Sequence, residues 1–148
     1  MSFKSILFLF LMFLIGGATV AAMDHEMKHN SPMTDERISL NLPPMMKQHQ
    51  LANMRNHVDA VRRIIAAIGK DDFDGASKIA SQELGLTEEM KQMCNRFENK
   101  NFREMGLAFH ESGDQLAKTL KTGNVQESLQ ALNVTMGQCV SCHATFRQ

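Results

Sequence analysis

From Pro43 onward the chain alternates apolar and polar positions with a helical period. Met54, Val58, Val61, Ile65 and Ile68 recur at spacings of four and three, which predicts one long helix with a single apolar stripe. Pro43 and Pro44 suit its first turn, where a missing N–H costs no hydrogen bond, and Gly69 supplies its stop. A second, shorter helix is expected to start at Asp71, carrying Phe73, Ala76, Ile79 and Ala80 and closing near Gly85. Thr87, followed by Glu88 and Glu89, reads as the N-cap of a short piece through Met90, Met93 and Cys94. Phe102, Met105, Phe109, Leu116 and Leu120 predict another long helix ending at Thr122-Gly123, with a bend expected at Ser112-Gly113. The last helix is expected to open at Asn124, with Glu127 completing a capping pair. Its stripe is Val125, Leu129, Leu132, Met136, Cys139, His143 and Phe146.

No segment shows sustained strand-type alternation, and the helices are joined by short connections. The expected fold is all-α, an antiparallel up-down-up-down four-helix bundle over residues 41–148. Ahead of it, MDHEMKHNSPMTDER has no apolar period, so residues 23–40 are expected to form a disordered polar tail, with order beginning near Leu40. Residues 1–22 combine Lys4, an apolar run from Ile6 to Ile15 and the small residues Val20-Ala21-Ala22, the signature of a secretory signal peptide. The alternative, an uncleaved anchor, is disfavoured because the run is short for a bilayer. The mature chain is therefore expected in the periplasm and free of the membrane.

Composition narrows the function. Cleavage would remove only Lys4 from 16 basic and 16 acidic side chains, and a nearly neutral surface argues against nucleic acid as a partner. No carboxylate pair or nucleophile-base pattern points to catalysis by side chains, so no enzymatic role is expected. The chemistry concentrates instead in Cys139-Val140-Ser141-Cys142-His143. A structural zinc site would want four ligands, and Cys94 is the only other thiol. A redox dithiol would be expected at a helix N-terminus, whereas this pair falls near a helix C-terminus. Two cysteines three apart followed at once by histidine form the attachment signature of c-type haem. Export and an apolar helical seam add the context that such a motif needs.

With the motif continued as Ala144-Thr145-Phe146-Arg147, the C-terminal segment resembles the cytochrome c′ family, the class II c-type cytochromes. The resemblance covers those nine residues and the helix pattern from Pro43 to Gln148. It implies one covalent haem c between the helices, held by Cys139 and Cys142, with His143 as proximal iron ligand and Arg147 near a propionate. It implies electron transfer with redox partner proteins, and pairing of two copies through the first two helices. The sixth iron position would come from the first helix. There the alignment lands on Met54, whose thioether would favour electron transfer, or Met54 only packs in the core. His57 is the second candidate, while His49 and His110 are less well placed. An apolar or displaceable distal side would instead make a five-coordinate protein that binds NO or CO.

Three side issues remain open at this level. Cys94 is expected to be a buried apolar thiol, with a disulfide-linked dimer as the alternative. Arg62 and Arg63 mark either a partner patch or a solvated helix face. If cleavage follows Ala22, the new terminus Met23-Asp24-His25, with Met27, His29 and Met33 nearby, offers nitrogen and thioether donors for copper, against the simpler reading of a polar tail.

Overall fold

The computed structural model describes residues 34–148. The expected signal peptide and the His/Met-rich segment up to Met33 lie outside the described residues. The rest is all-α but for two short strands: β1 (Ile38–Ser39), α1 (Pro44–Ile68), α2 (Phe73–Ile79), α3 (Glu88–Asn95), α4 (Lys100–Leu120), α5 (Val125–Thr145) and β2 (Phe146–Arg147). A π-helical turn, Ala80–Leu84, continues α2. Among the described residues no helix is long and apolar enough to cross a membrane.

The helix starts follow from side-chain caps that satisfy otherwise unpaired N–H groups. Thr87 accepts from the Met90 amide at 3.2 Å and Asn124 from the Glu127 amide at 3.1 Å, at the positions expected. Asn99, not foreseen, opens α4 by accepting from Phe102 at 3.0 Å. At α2 the cap is Asp72, one residue later than expected, accepting from Gly75 at 2.9 Å. Asp71 adopts a left-handed φ of 58°, which closes the turn after α1 and leaves Asp72 to begin the helix.

Helix α1 packs on α2 and the π turn, these pack on α4, and α4 packs along α5. Ile64, Leu84, Leu116 and Leu120 are fully buried at this junction, joined by Ala60, Ala76, Ala80 and Leu132. A second, aromatic cluster of Phe97, Phe102 and Phe146 lies with Leu40, Met46, Met93, Met105 and Cys142. Strands β1 and β2 pair in parallel, Ile38 opposite Phe146 and Ser39 opposite Arg147, and the Leu40 amide donates to the Arg147 carbonyl at 3.0 Å. Pairing thus reaches into the segment expected to be tail, and it ties that segment to the residues directly after the Cys-x-x-Cys-His run.

Two stripes differ from expectation. On α1, Val58 is 71% and Ile65 50% exposed, while Ala60 and Ile64 are inaccessible. The buried side is Gln50, Ala60, Ile64 and Ile68, so the helix is rolled away from the Val58–Ile65 edge. On α5 the buried positions are Ser128, Leu132 and Thr135, continued by half-buried Cys139 and Cys142 and by buried Phe146. Leu129 and Met136, expected inside, are largely exposed. Thr135 is tolerated in the interior because its hydroxyl donates to the carbonyls of Ser112 (3.2 Å) and Ala131 (3.3 Å).

Helix α4 runs unbroken through the expected bend at Ser112-Gly113. Gly113 serves another purpose: a Cβ there would stand 2.4 Å from the Leu84 carbonyl oxygen and 2.9 Å from the Leu84 Cβ. Only the missing side chain lets the end of the π turn lie against α4. Gly113→Ala is expected to destabilise the fold by about 1–3 kcal/mol, the usual cost of forcing extra volume into a packed contact. Thermal unfolding against the wild type measures it.

Candidate functional site

Between α1, α3, α4 and the C-terminal end of α5 lies a cavity of about 610 Å³. Its walls carry Met54, His57 and Val58 from α1, Met90, Met93 and Cys94 from α3, and Phe102, Met105, Phe109 and His110 from α4. Helix α5 contributes Cys139, Cys142 and His143, and the last residues add Phe146, Arg147 and Gln148. The structure therefore gathers every residue that the motif singled out, and both distal candidates, around one space.

Helix periodicity explains the arrangement at α5. Cys139 and Cys142 are three apart and project from the same side. Both are half-buried free thiols, and Cys139 Sγ lies 3.7 Å from the Thr135 carbonyl. His143 is exposed at the cavity edge, off the buried seam on which its apolar neighbours had placed it. Burial pushes the Cys139 thiol above its ordinary range, opposed by its own backbone amide. Burial, then the neighbouring Cys139, raises Cys142. Thiols held in the protonated form are the reverse of an activated redox pair, which depends on thiolate. Among the described residues no three His, Cys, Asp or Glu side chains converge as a metal site of their own.

Between α1 and α4 the imidazoles of His57 and His110 meet edge to face, their ring centres 5.5 Å apart, and Phe109 lies 4.9 Å from each. His110 is buried, and its Nδ1 donates to the Leu84 carbonyl at 2.9 Å, since a carbonyl can only accept. That carbonyl is the one brought close by Gly113. The sequence ranked His110 as poorly placed because it lies on α4; close packing of the π turn against α4 brings it to the cavity. His49, by contrast, is exposed and pairs with Asn53 at 3.3 Å. Burial, and secondarily His110, lowers the pKa of His57 to about 4 from an ordinary 6.5. In the haem-free protein the unfolded chain therefore takes up a proton below pH 6.5 that the folded chain refuses until about pH 4. Stability is expected to be full above pH 6.5 and to fall by about 3 kcal/mol as pH drops to 4. His57→Phe should flatten that slope in urea titrations run at several pH values.

Cations rim the cavity. Arg37, Arg55, Arg103 and Arg147 all line it, and only Arg147 was singled out from the sequence. Arg147 Nε is 3.6 Å from Asp35, whose carboxylate Arg37 also grips at 2.8 Å. Arg37 reaches across to the His143 carbonyl at 3.3 Å. Its place in a stretch that reads as a polar tail hid it; the β1–β2 pairing delivers it. Arg62 and Arg63 lie elsewhere on α1 and are engaged by Asp59, with Arg63 also bonded to Glu83. Cys94 is buried against Gly106, where an added Cβ would come within 3.2 Å of its sulfur, and this burial disfavours an intermolecular disulfide.

The residues fit a haem. The cavity is of cofactor size, with four phenylalanines and four methionines among its walls and guanidinium groups available for carboxylates. Comparison with protein-family models, with curated proteins and with solved structures finds no match to the chain.

Proposed function

We propose that the protein is an exported, periplasmic mono-haem c-type cytochrome of the cytochrome c′ type that carries electrons between redox partner proteins. One observation carries this reading: Cys139, Cys142 and His143 border the same cofactor-sized cavity as two imidazoles and a thioether from α1 and α4. In this reading the helices form an antiparallel four-helix bundle around the group. Cys139 and Cys142 would hold the group covalently through thioether bonds. His143 would supply a nitrogen ligand to the iron, and the arginines lining the cavity, Arg147 among them, would pair with the propionates. When bound, the haem supplies one-electron chemistry between Fe²⁺ and Fe³⁺. The chain's own work is to ligate, to bury and to set the potential. Ile65, exposed on α1 and away from the cavity, supports pairing of two copies through that helix.

The test is the visible spectrum of protein produced with the c-type maturation machinery, oxidised, reduced, and reduced under carbon monoxide. A covalently bound chromophore with low-spin bands that carbon monoxide does not shift is the expected result. Prompt conversion by carbon monoxide would assign the protein to the gas-binding class instead, and absence of covalent haem would overturn the reading.

A further inference from the structure

The segment ahead of α1 closes over the end of the helix that carries His143. Strand β1 holds it there, with Ile38 opposite Phe146, Ser39 opposite Arg147 and the Leu40 amide on the Arg147 carbonyl at 3.0 Å. Phe146 and Arg147 are the third and fourth residues after His143, so the pairing sets Arg37 against the last turn of α5. Arg37 then engages all three of its guanidinium nitrogens. Nε and one terminal nitrogen donate to the two oxygens of Asp35, at 2.9 and 2.8 Å, and the other terminal nitrogen donates to the His143 carbonyl at 3.3 Å. Asp35 is held in turn by Arg147 Nε at 3.6 Å, from β2 itself.

Carbonyls in the last turn of a helix run out of helical N–H partners, and a cation there also suits the helix dipole. Arg37 meets both needs at one carbonyl, 106 positions away in the chain. Resting on the haem reading above, we infer that Arg37 is a positioning residue for the iron: gripped by Asp35, it holds the backbone of His143 and thereby the direction in which the imidazole is presented. Groups behind a metal ligand set how firmly it binds, and through it the properties of the metal. The task calls for a guanidinium. Its planar fork grips a carboxylate with two nitrogens and still reaches a carbonyl with the third, which an ammonium does not reproduce.

The experiment uses the full chain matured with haem, with covalent attachment scored by intact mass before any other measurement. Wild type, Arg37→Gln and Arg37→Lys are then compared by redox titration, and hydrogen exchange of the three haem-free chains reports on the fold. Two causes would move the potential in opposite directions. A loosened His143 donates less to the iron, which favours Fe²⁺ and raises the potential, whereas simple loss of a nearby positive charge favours Fe³⁺ and lowers it. Arg37→Gln should keep its haem mass and show a raised potential. Arg37→Lys keeps the charge and loses the fork, so it too should be raised; as the conservative change it also guards against a variant that fails to fold. In the haem-free chains the last turn of α5 should exchange faster in both variants, while amides near Ile64 and Leu116 stay protected. Haem mass with a potential that falls in Arg37→Gln, or that stays at the wild-type value in Arg37→Lys, would overturn the inference alone. No haem mass on the wild type would overturn the haem reading itself, and this inference with it.

Discussion

Replacing Cys139 and Cys142 together by serine is expected to abolish covalent haem, with the mass of the purified chain dropping to that of the polypeptide. Serine has nearly the shape of cysteine but does not add to a vinyl group, so the change removes the bond and little else. Both thiols are half-buried at one cavity and three residues apart, so each is expected to engage one vinyl. The single variants should each keep one thioether, with a shifted spectrum and a lower yield of holoprotein. The control is the fold of the far end: Cys139 only borders the aliphatic core, so helicity measured by circular dichroism should survive the double change. A double variant that still carried haem mass would sink the assignment of these two residues.

Leu116→Ala is expected to be the most damaging core truncation, costing about 2–5 kcal/mol by lost burial and the cavity left behind. Leu116 is wholly inaccessible and belongs to the cluster that joins α1, α2, the π turn, α4 and α5. Its surroundings include Ile64, Leu84 and Leu120, also wholly buried, so there is little freedom to collapse into the void. Denaturant titration of the haem-free form, compared with Leu129→Ala on the exposed side of α5, separates core packing from helix propensity. The Leu129 change should stay within about 0.5 kcal/mol, as surface substitutions do.

The helices were legible because their ends are written in local chemistry. Thr87 and Asn124 cap where a short polar side chain precedes a helical stripe, and Gly69 and Gly123 close the turns. The roll of each helix was not. On α1 apolar residues occupy a wide arc, and period alone does not say which edge of it faces in; small Ala60 is buried while larger Val58 is not. On α5 the inward line includes Ser128 and Thr135, which look external until their backbone partners are known. The Cys139-to-His143 run was readable outright, being contiguous. The rest of the cavity depends on long-range contacts: His110 on a carbonyl 26 residues earlier in the chain, and Arg37 on a strand paired with the far terminus.

The division of the molecule into an aliphatic end and an aromatic, cavity-bearing end has a consequence for how it opens. Backbone amides near Ile64, Leu84 and Leu120 sit where side chains fill space from several helices at once, and their exchange with solvent requires global unfolding. Amides around Met54, Met93 and Met105 border open volume and exchange through smaller, local openings. The chain is thus a pre-formed platform with a looser jaw, and a bound group that bridges α1 to α5 would act as the clamp that makes the two ends unfold as one.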